Sequence, residues 1–399
     1  MSAIELRNEN KKFLSGDEAV AEGVKLCRPD VIAAYPITPQ TVIVEKLSEF
    51  VASKEMDCQY LHVESEHSAM AASMGASMMG SRTFTATSSQ GLLYMCEMLH
   101  YVSGSRFPIV MVNANRTVAA PWNIFGDHRD SLSQRDSGWM QVYVENGQEA
   151  LDMVIQSYKI AENQSVSTPI MINLDGFVLT HTYELVSIPE QNQVDEFLPP
   201  YSTTNKFDFE NPKSLCFTAS PEWQTEFRYQ QYEAMENAKK VIQEVDKEFS
   251  QVFGRTYGGM VEEYHCSDAD YILVAMGSVA GTAKIVVDKL RKQGKKVGLV
   301  KLRFYRPFPK EYFKKLGKKA KAVGVIDRDI SFGYEGAVYS DVKAALFSQG
   351  ADVKTINFIA GISGRDITKE FLAEMYSQLE AIGNGDKVEE IQFTGLRWK

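Results

Sequence analysis

Between Gly16 and Asn173, short runs rich in apolar and β-branched residues alternate with longer segments of helical periodicity. Val31–Tyr35, Thr83–Thr87, Pro108–Val112 and Pro169–Asn173 have the pattern of buried strands. Helices are predicted over Glu66–Gly80, rich in Ala and Met, over Gly91–Gly104, and over Gln148–Asn163. In the last of these, Leu151, Val154, Ile155, Tyr158 and Ile160 recur at helical spacing. Strands alternating with helices predict an α/β fold, a parallel sheet with helices on both faces. The stretch Ser68–Met79 carries no clear polar stripe, which suits a core or interface helix.

The pattern then loosens. Pro189–Pro221 is polar and irregular, with Pro199-Pro200 and Asn211-Pro212, and leads into a charged helix over Glu222–Phe249 with one solvated face. A second α/β unit starts near Tyr271. Its strands are predicted at Tyr271–Met276, Lys296–Lys301, Ala322–Asp327 and Val353–Phe358, with a helix over Ala280–Gln293. Asp366–Lys399 reads as a helix and then an extended end. At roughly 150 residues per domain, this length suits two or three domains; we place the boundary between 1–255 and 256–399. No internal repeat or low-complexity segment interrupts the chain.

Composition removes several function classes. With 44% hydrophobic and 24% charged residues the chain can bury a core, so a disordered protein is excluded. A net charge of -9 argues against a nucleic-acid partner, which needs a clustered basic face. No apolar run reaches the roughly 18 to 20 residues of a membrane span. Met1–Lys12 is polar, without the apolar core of a signal peptide. We expect a soluble, cytoplasmic protein with no membrane partner. None of the five cysteines (Cys27, Cys58, Cys96, Cys216, Cys266) sits in a C-x-x-C pair, so no zinc ribbon or ferredoxin-type cluster is encoded. They are expected to be reduced, buried, small hydrophobic side chains. No metal ligands are expected in this chain.

Four loops carry candidate chemistry. Tyr35-Pro-Ile-Thr-Pro-Gln40 follows directly on a predicted strand, where open α/β sheets hold their ligands. Pro36 and Pro39 stiffen it, and Thr38 offers a hydroxyl beside a helix N-terminus, suited to a carboxylate. The same residues also make a plain Pro-rich turn with an N-cap. Val63-Glu-Ser-Glu-His-Ser68 runs into a helix of small residues. One acid there compensates the helix dipole. The second of Glu64 and Glu66 is then spare, and in a buried pocket a carboxylate can share a proton with a ligand nitrogen.

Thr85-Ala-Thr-Ser-Ser-Gln-Gly-Leu92 is a strand ending in a Ser/Gly turn, a geometry that aims backbone N–H groups at a ligand or simply reverses the chain. It is not G-x-G-x-x-G and lacks a Walker lysine. Asn115-Arg116 follows another strand and precedes the polar loop Asn123–Asp136. Arginine holds a carboxylate through two hydrogen bonds, or pairs at the surface with a nearby aspartate. His128 is either a proton carrier or a structural histidine.

Together these loops resemble the alpha subunit of the 2-oxoacid:ferredoxin oxidoreductases, thiamine diphosphate enzymes of anaerobic metabolism, and above all the pyruvate branch (pyruvate synthase). The resemblance rests on Tyr35-Pro-Ile-Thr-Pro39, Glu64-Ser-Glu-His-Ser-Ala-Met70, Ala86-Thr-Ser-Ser-Gln-Gly-Leu-Leu93, Asp127-His128, Gln134-Arg-Asp-Ser-Gly-Trp139 and Tyr143-Val-Glu-Asn146. It continues through Leu174-Asp-Gly-Phe177, Thr180-His-Thr182, Asp195-Glu-Phe-Leu-Pro199, Arg306-Pro-Phe-Pro309, Asp327-Arg328, Ile330-Ser-Phe-Gly333 and Gly364-Arg-Asp-Ile-Thr368. Each motif is modest; the ordered set is specific and spans nearly the whole chain.

The resemblance implies a thiamine-diphosphate-binding pyrimidine-type domain followed by a transketolase C-terminal-like α/β domain. It implies that Glu66 hydrogen-bonds the aminopyrimidine ring, and that Arg116 and Thr38 hold the substrate's carboxylate and keto oxygen. Pro36, Ser89, Gln90 and Gly91 are expected to contact the cofactor. Thiamine diphosphate would be shared with a beta subunit bearing the Gly-Asp-Gly…Asn magnesium motif, which this chain lacks. Mg2+ and [4Fe-4S] clusters would sit in beta, gamma and delta-type partner subunits, with ferredoxin or flavodoxin as electron acceptor. Pyruvate and coenzyme A would yield acetyl-CoA and CO2, and the chain alone would be inactive.

Val118-Ala-Ala-Pro-Trp-Asn-Ile124 resembles both the pyruvate and the branched-chain 2-oxoacid branches. Ser89-Gln90-Gly91 stands where the 2-oxoglutarate branch carries Ser-Gly-Pro-Gly, and Thr38 stands where the oxalate branch has a basic residue. A non-catalytic scaffold with a degenerate thiamine domain would have lost the key acid, yet Glu66, Arg116 and Thr38 are all present.

Overall fold

A computed structural model describes residues 10–348 and 350–398. Most of the polar N-terminal stretch, residues 1–9, and Lys399 of the expected extended end lie outside the described residues. In chain order the strands are β1 (Asn10–Ser15), β2 (Val31–Ala34), β3 (Gln59–His62), β4 (Thr83–Thr87) and β5 (Val110–Asn115). Next come β6 (Met140–Tyr143), β7 (Ile170–Asp175), β8 (Tyr183–Ile188), β9 (Val261–Tyr264) and β10 (Tyr271–Ala275). Last are β11 (Val297–Leu302), β12 (Phe304–Arg306), β13 (Ala322–Asp327), β14 (Lys354–Ile359) and β15 (Ile391–Phe393).

They build a seven-stranded sheet of order β12-β6-β7-β5-β4-β2-β3 and a six-stranded sheet of order β15-β14-β13-β10-β11-β9. Both are parallel apart from one antiparallel edge strand each, β12 and β9. β1 and β8 form a separate antiparallel ribbon. β12 lies beyond the expected boundary at 255/256, yet pairs with β6 and completes the first sheet.

The first sheet buries both faces, and the alternation within its strands separates the two cores. Val110, Val112, Ile170 and Ile172 pack under the helices Gly16–Leu26 and Gly147–Ala161. Met111 and Met171 point the other way, into a cluster with Ala69, Met70 and Met74 of the helix Glu66–Met78. Caps set the helix starts. Ser15 and Glu18 form a reciprocal capping box, and Asn146 and Thr368 accept from the third residue of their helices.

The charged linker helix runs from Pro221 to Phe253, 33 residues or about 50 Å, and ends at Gly254 in the left-handed region. Its C-terminal half buries Val241, Ile242, Val245 and Phe249, whereas Trp223, Tyr229 and Tyr232 in its first half are exposed.

Several predicted strands shift by one to three residues. β5 begins at Val110 rather than Pro108 and continues to Asn115, because its partner β7 extends the ladder to Asp175. Proline cannot donate to such a ladder, so the pairing starts after it. The predicted helix over 91–104 is split at Met95 into Ser89–Tyr94 and Cys96–Gly104. Of the cysteines, Cys27 and Cys58 are buried as expected; Cys96, Cys216 and Cys266 are only half-buried. No helix among the described residues is long and apolar enough to cross a membrane.

A buried carboxylate joins the two units. Asp175, at the end of β7, meets His128 Nε2 at 2.7 Å and the Arg328 guanidinium at 2.5 Å. It also accepts from the backbone and hydroxyl of Ser278. Ser278 and Arg328 follow β10 and β13, the point where the second sheet's strand order reverses, so a first-unit side chain fills that crevice. His128 is thereby structural. A second junction sets Lys301 and Arg303 on the buried Glu149, whose carboxyl falls to about 2. Burial alone would push it up, and the two cations outweigh that.

Candidate active site

The chain leaves β2 in two directions, to β3 on one side and later to β4 and β5 on the other. Loops at the carboxyl ends of β2 and β4 therefore part and leave a crevice. The sequence-predicted loops converge here: Tyr35–Gln40 after β2, Ser88–Gly91 after β4, Arg116 after β5 and Glu66 after β3.

The face of the sheet beneath them turns polar toward its carboxyl end. Thr85 and Thr87 of β4 and Asn113 and Asn115 of β5 are fully buried on the side of Met111. Among the described residues the Thr85 and Thr87 hydroxyls have no hydrogen-bond partner.

The two acids before the small-residue helix divide their roles. Ser65 caps the helix, accepting from Ser68 N at 3.2 Å, and Glu64 accepts a hydrogen bond from the Ser68 hydroxyl. Glu64 is exposed, and that hydrogen bond lowers its carboxyl from the ordinary value. Glu66, one residue past the cap, is buried, and no described residue donates to its carboxylate. Gly91 packs directly against it: a Cβ there would lie 2.7 Å from Glu66 Oε1 and 2.6 Å from Thr87 Oγ1.

Arg116 is buried beside this group. Its Nη1 donates to the Thr38 carbonyl at 2.8 Å and its Nη2 to Gln90 Oε1 at 2.9 Å, while Nε has no partner among the described residues. The Trp122 ring lies 5.3 Å from the guanidinium. Burial pushes the guanidinium's pKa down, and the charges of Asp130 and Glu66 oppose this. Among the described residues no aspartate pairs with the Arg116 guanidinium; it turns inward to a carbonyl and an amide instead.

The Ser89–Gly91 turn is held from within. Ser89 sits at a φ of 50°, its hydroxyl donates to Thr117 O at 2.7 Å, and its N–H donates to Asp130 at 3.0 Å. The Gly91 N–H returns to Ser88 O. Thr38 and Pro36 are exposed at the crevice rim. His67, half-buried, lies 3.5 Å from Glu97 rather than among these groups. Sequence reasoning missed Asp130 and the buried threonine hydroxyls. Their signal was alternation: Thr-Phe-Thr-Ala-Thr and Val-Asn-Ala-Asn place polar residues on one face of strands otherwise apolar.

These residues suit an aminopyrimidine ring. A buried carboxylate to which no described residue donates, the Thr85 and Thr87 hydroxyls, without a partner among the described residues, and a glycine with no room for a side chain are the groups such a ring would meet. Among the described residues no group of three His, Cys, Asp or Glu side chains could hold a metal.

Comparison with known proteins identifies the family. Residues 22–247 match the family model "Pyruvate flavodoxin/ferredoxin oxidoreductase, thiamine diP-bdg", and residues 269–372 match "Pyruvate:ferredoxin oxidoreductase core domain II". The ketoisovalerate oxidoreductase subunit VorA of Pyrococcus horikoshii is 48% identical over 98% of this chain and 99% of its own. The pyruvate synthase subunit PorA of Methanocaldococcus jannaschii is 51% identical over 92% of this chain and 95% of its own.

Among solved structures, a 2-oxoglutarate:ferredoxin oxidoreductase from Magnetococcus marinus matches with a TM-score of 0.72 at 18% identity. That match covers 93% of this chain and 65% of the other. A split-gene transketolase, an inactive beta4 tetramer, matches at 0.55 and 12% identity, over 92% of this chain and 98% of its own. At these identities the structural likeness shows the fold alone, a parallel-sheet α/β domain joined to a transketolase-like α/β domain; the family model over residues 22–247 is what names the first a thiamine-diphosphate-binding domain. With a family model across more than half of its length and identities near one half end to end, the chain belongs to the pyruvate flavodoxin/ferredoxin oxidoreductase family, as an alpha-type subunit of a 2-oxoacid:ferredoxin oxidoreductase.

Proposed function

We propose that this chain is the alpha subunit of a thiamine diphosphate-dependent pyruvate:ferredoxin oxidoreductase. The complex converts pyruvate and coenzyme A to acetyl-CoA and CO2, releasing two electrons and one proton, and runs reversibly. The observation that carries this reading is the buried, unpaired Glu66 set against Gly91, with Arg116 beside it.

When bound, thiamine diphosphate supplies the electron sink that decarboxylation needs. Glu66 holds or releases a proton at the ring nitrogen of the aminopyrimidine. Arg116 takes the substrate carboxylate once its guanidinium turns from the Thr38 carbonyl, and the Thr38 hydroxyl serves the keto oxygen. Pro36, Ser89, Gln90 and Gly91 line the cofactor side. Residues 1–255 form the cofactor-side unit and 256–399 the second domain, which returns β12 to the first sheet. A beta subunit completes the cofactor site with Mg2+. Gamma and delta-type subunits carry the electrons through [4Fe-4S] clusters to ferredoxin or flavodoxin, in the cytoplasm.

A second reading, a branched-chain 2-oxoacid as substrate, is supported by the ketoisovalerate-named relative at 48% identity and by the Trp122 loop over Arg116. Rates with pyruvate and 2-oxoisovalerate on the purified complex choose between them. Glu66→Gln in that complex tests the catalytic reading. Loss of a general acid–base group lowers the rate by about 10²–10⁴-fold. Undiminished decarboxylation would leave the non-catalytic scaffold as the better account.

A further inference from the structure

The β4–β5 ladder ends at the pair Thr87–Asn113. Beyond it the two strands part into the loops that carry Ser89–Gly91 and Arg116. Asp130, fully buried, lies between them. Its Oδ2 accepts from Ser89 N at 3.0 Å, Arg116 N at 3.1 Å and Asn113 Nδ2 at 3.2 Å. Its Oδ1 accepts from Asn115 Nδ2 and Ser131 N, both at 2.7 Å. All five partners are N–H donors, and among the described residues Asp130 makes no ion pair. Only an ionised carboxylate presents acceptors, and no hydrogen, on both oxygens.

We infer that Asp130 is a positioning residue, which fixes the backbone of the substrate-binding Arg116 against the Ser89–Gly91 turn. The inference rests on the role proposed above for Arg116. By this route Asp130 acts on two reacting groups. Through Arg116 N it sets where the guanidinium starts, and through Ser89 N it sets the turn that presses Gly91 onto Glu66. The turn and the arginine also meet through Gln90, which accepts from Arg116 Nη2. The clamp is itself anchored to the second unit, because the neighbouring His128 bonds Asp175 and donates its N–H to Arg328 O. Domain seating and arginine placement thus share one short segment, 128–131.

Asp130→Asn tests this. An amide in place of the carboxylate points hydrogens at donors in either orientation, so two or three of the five partners lose their acceptor. In the assembled complex we expect the KM for pyruvate to rise at least tenfold. The KM for coenzyme A should stay within twofold, since no group that Asp130 holds is assigned to it. A pyruvate KM within twofold of the parent overturns the inference. So does an equal rise in both KM values, which marks a general structural defect.

If that variant fails to assemble, Asn113→Ala removes one donor from the same oxygen. It should raise the pyruvate KM at least threefold, and no rise overturns the inference. Arg116→Gln separates the two layers. If it leaves the pyruvate KM unmoved, the assignment of Arg116 fails and the inference falls with it. If it raises the KM while Asp130→Asn does not, the inference fails alone.

Discussion

A Cβ on Gly91 would stand 2.7 Å from Glu66 Oε1, well inside contact distance, so the glycine and the acid occupy one packed unit. Gly91→Ala should therefore push the Glu66 carboxylate from its seat and crowd the Thr87 hydroxyl, 2.6 Å from the same Cβ, while the backbone of the strand stays in place. Misplacing a reacting group by about 1 Å costs roughly 10²-fold in rate. We expect a loss of that order in pyruvate decarboxylation by the assembled complex, with Tm little changed. An alanine variant of full activity would show that Glu66 has room to yield.

Asp17 gives a pH-dependent test of stability. It lies in the first turn of the helix Gly16–Leu26, fully buried, and among the described residues neither carboxylate oxygen has a hydrogen-bond partner. Burial, and then the charge of Glu18, push its pKa well above the ordinary value. A group whose pKa is raised by folding stabilises the fold fully below its unfolded pKa, and that contribution fades as pH rises through the folded value. Asp17→Asn should thus match the parent near pH 4 and exceed it at pH 8. A gain of about 1–3 kcal/mol there corresponds to several degrees in Tm. Melting curves at the two pH values check it, and a gap that narrows with rising pH would contradict it.

The Asp175–Arg328 pair titrates in the opposite sense. Burial pushes the Asp175 carboxyl up, but Arg328 and His128 outweigh it and hold the carboxyl well below the usual range. The resulting stabilisation is present above the unfolded pKa and is lost only as pH falls through the lowered value. Arg328→Met leaves a buried carboxylate short of its main cation, which costs about 3–5 kcal/mol. We expect a lower Tm at neutral pH and an acid-unfolding midpoint moved to higher pH. An unchanged acid midpoint would count against the junction.

Trp122 bears on substrate choice. It is 56% exposed while its ring covers the Arg116 guanidinium at 5.3 Å. A side chain so placed borders the acyl group of any 2-oxoacid whose carboxylate Arg116 holds. Trp122→Ala should change the kcat/KM ratio between pyruvate and 2-oxoisovalerate by about 10-fold, the scale of one or two methylene contacts. A constant ratio would remove this loop from the substrate pocket.

Local pattern made most of the architecture legible. Thr83–Thr87 and Ala322–Asp327 are strands with the predicted bounds, and the helix predicted from Glu66 begins at Glu66. Buried parallel strands have a dense apolar signature, and caps mark helix starts in few residues. The edge strands β3 and β9, which bury little, escaped notice, as did the buried β6 and β12, whose three or four residues are too short to show a period.

The same division holds for the site. The sequence by itself determined the chemical inventory: an acid at the head of a small-residue helix, a Ser-Gln-Gly turn, and an arginine and a threonine at strand ends. Those residues are set by local backbone and by the family resemblance they carry. Only the tertiary structure decided which acid is buried, that Gly91 seats it, that Arg116 rests on Thr38 and Gln90, and that Asp130 ties two loops together. It also decided that Asp175 closes the junction with Arg328, 153 positions away. Such contacts join residues far apart in the chain, and their energies come from burial and desolvation, which exist only once the sheets have formed.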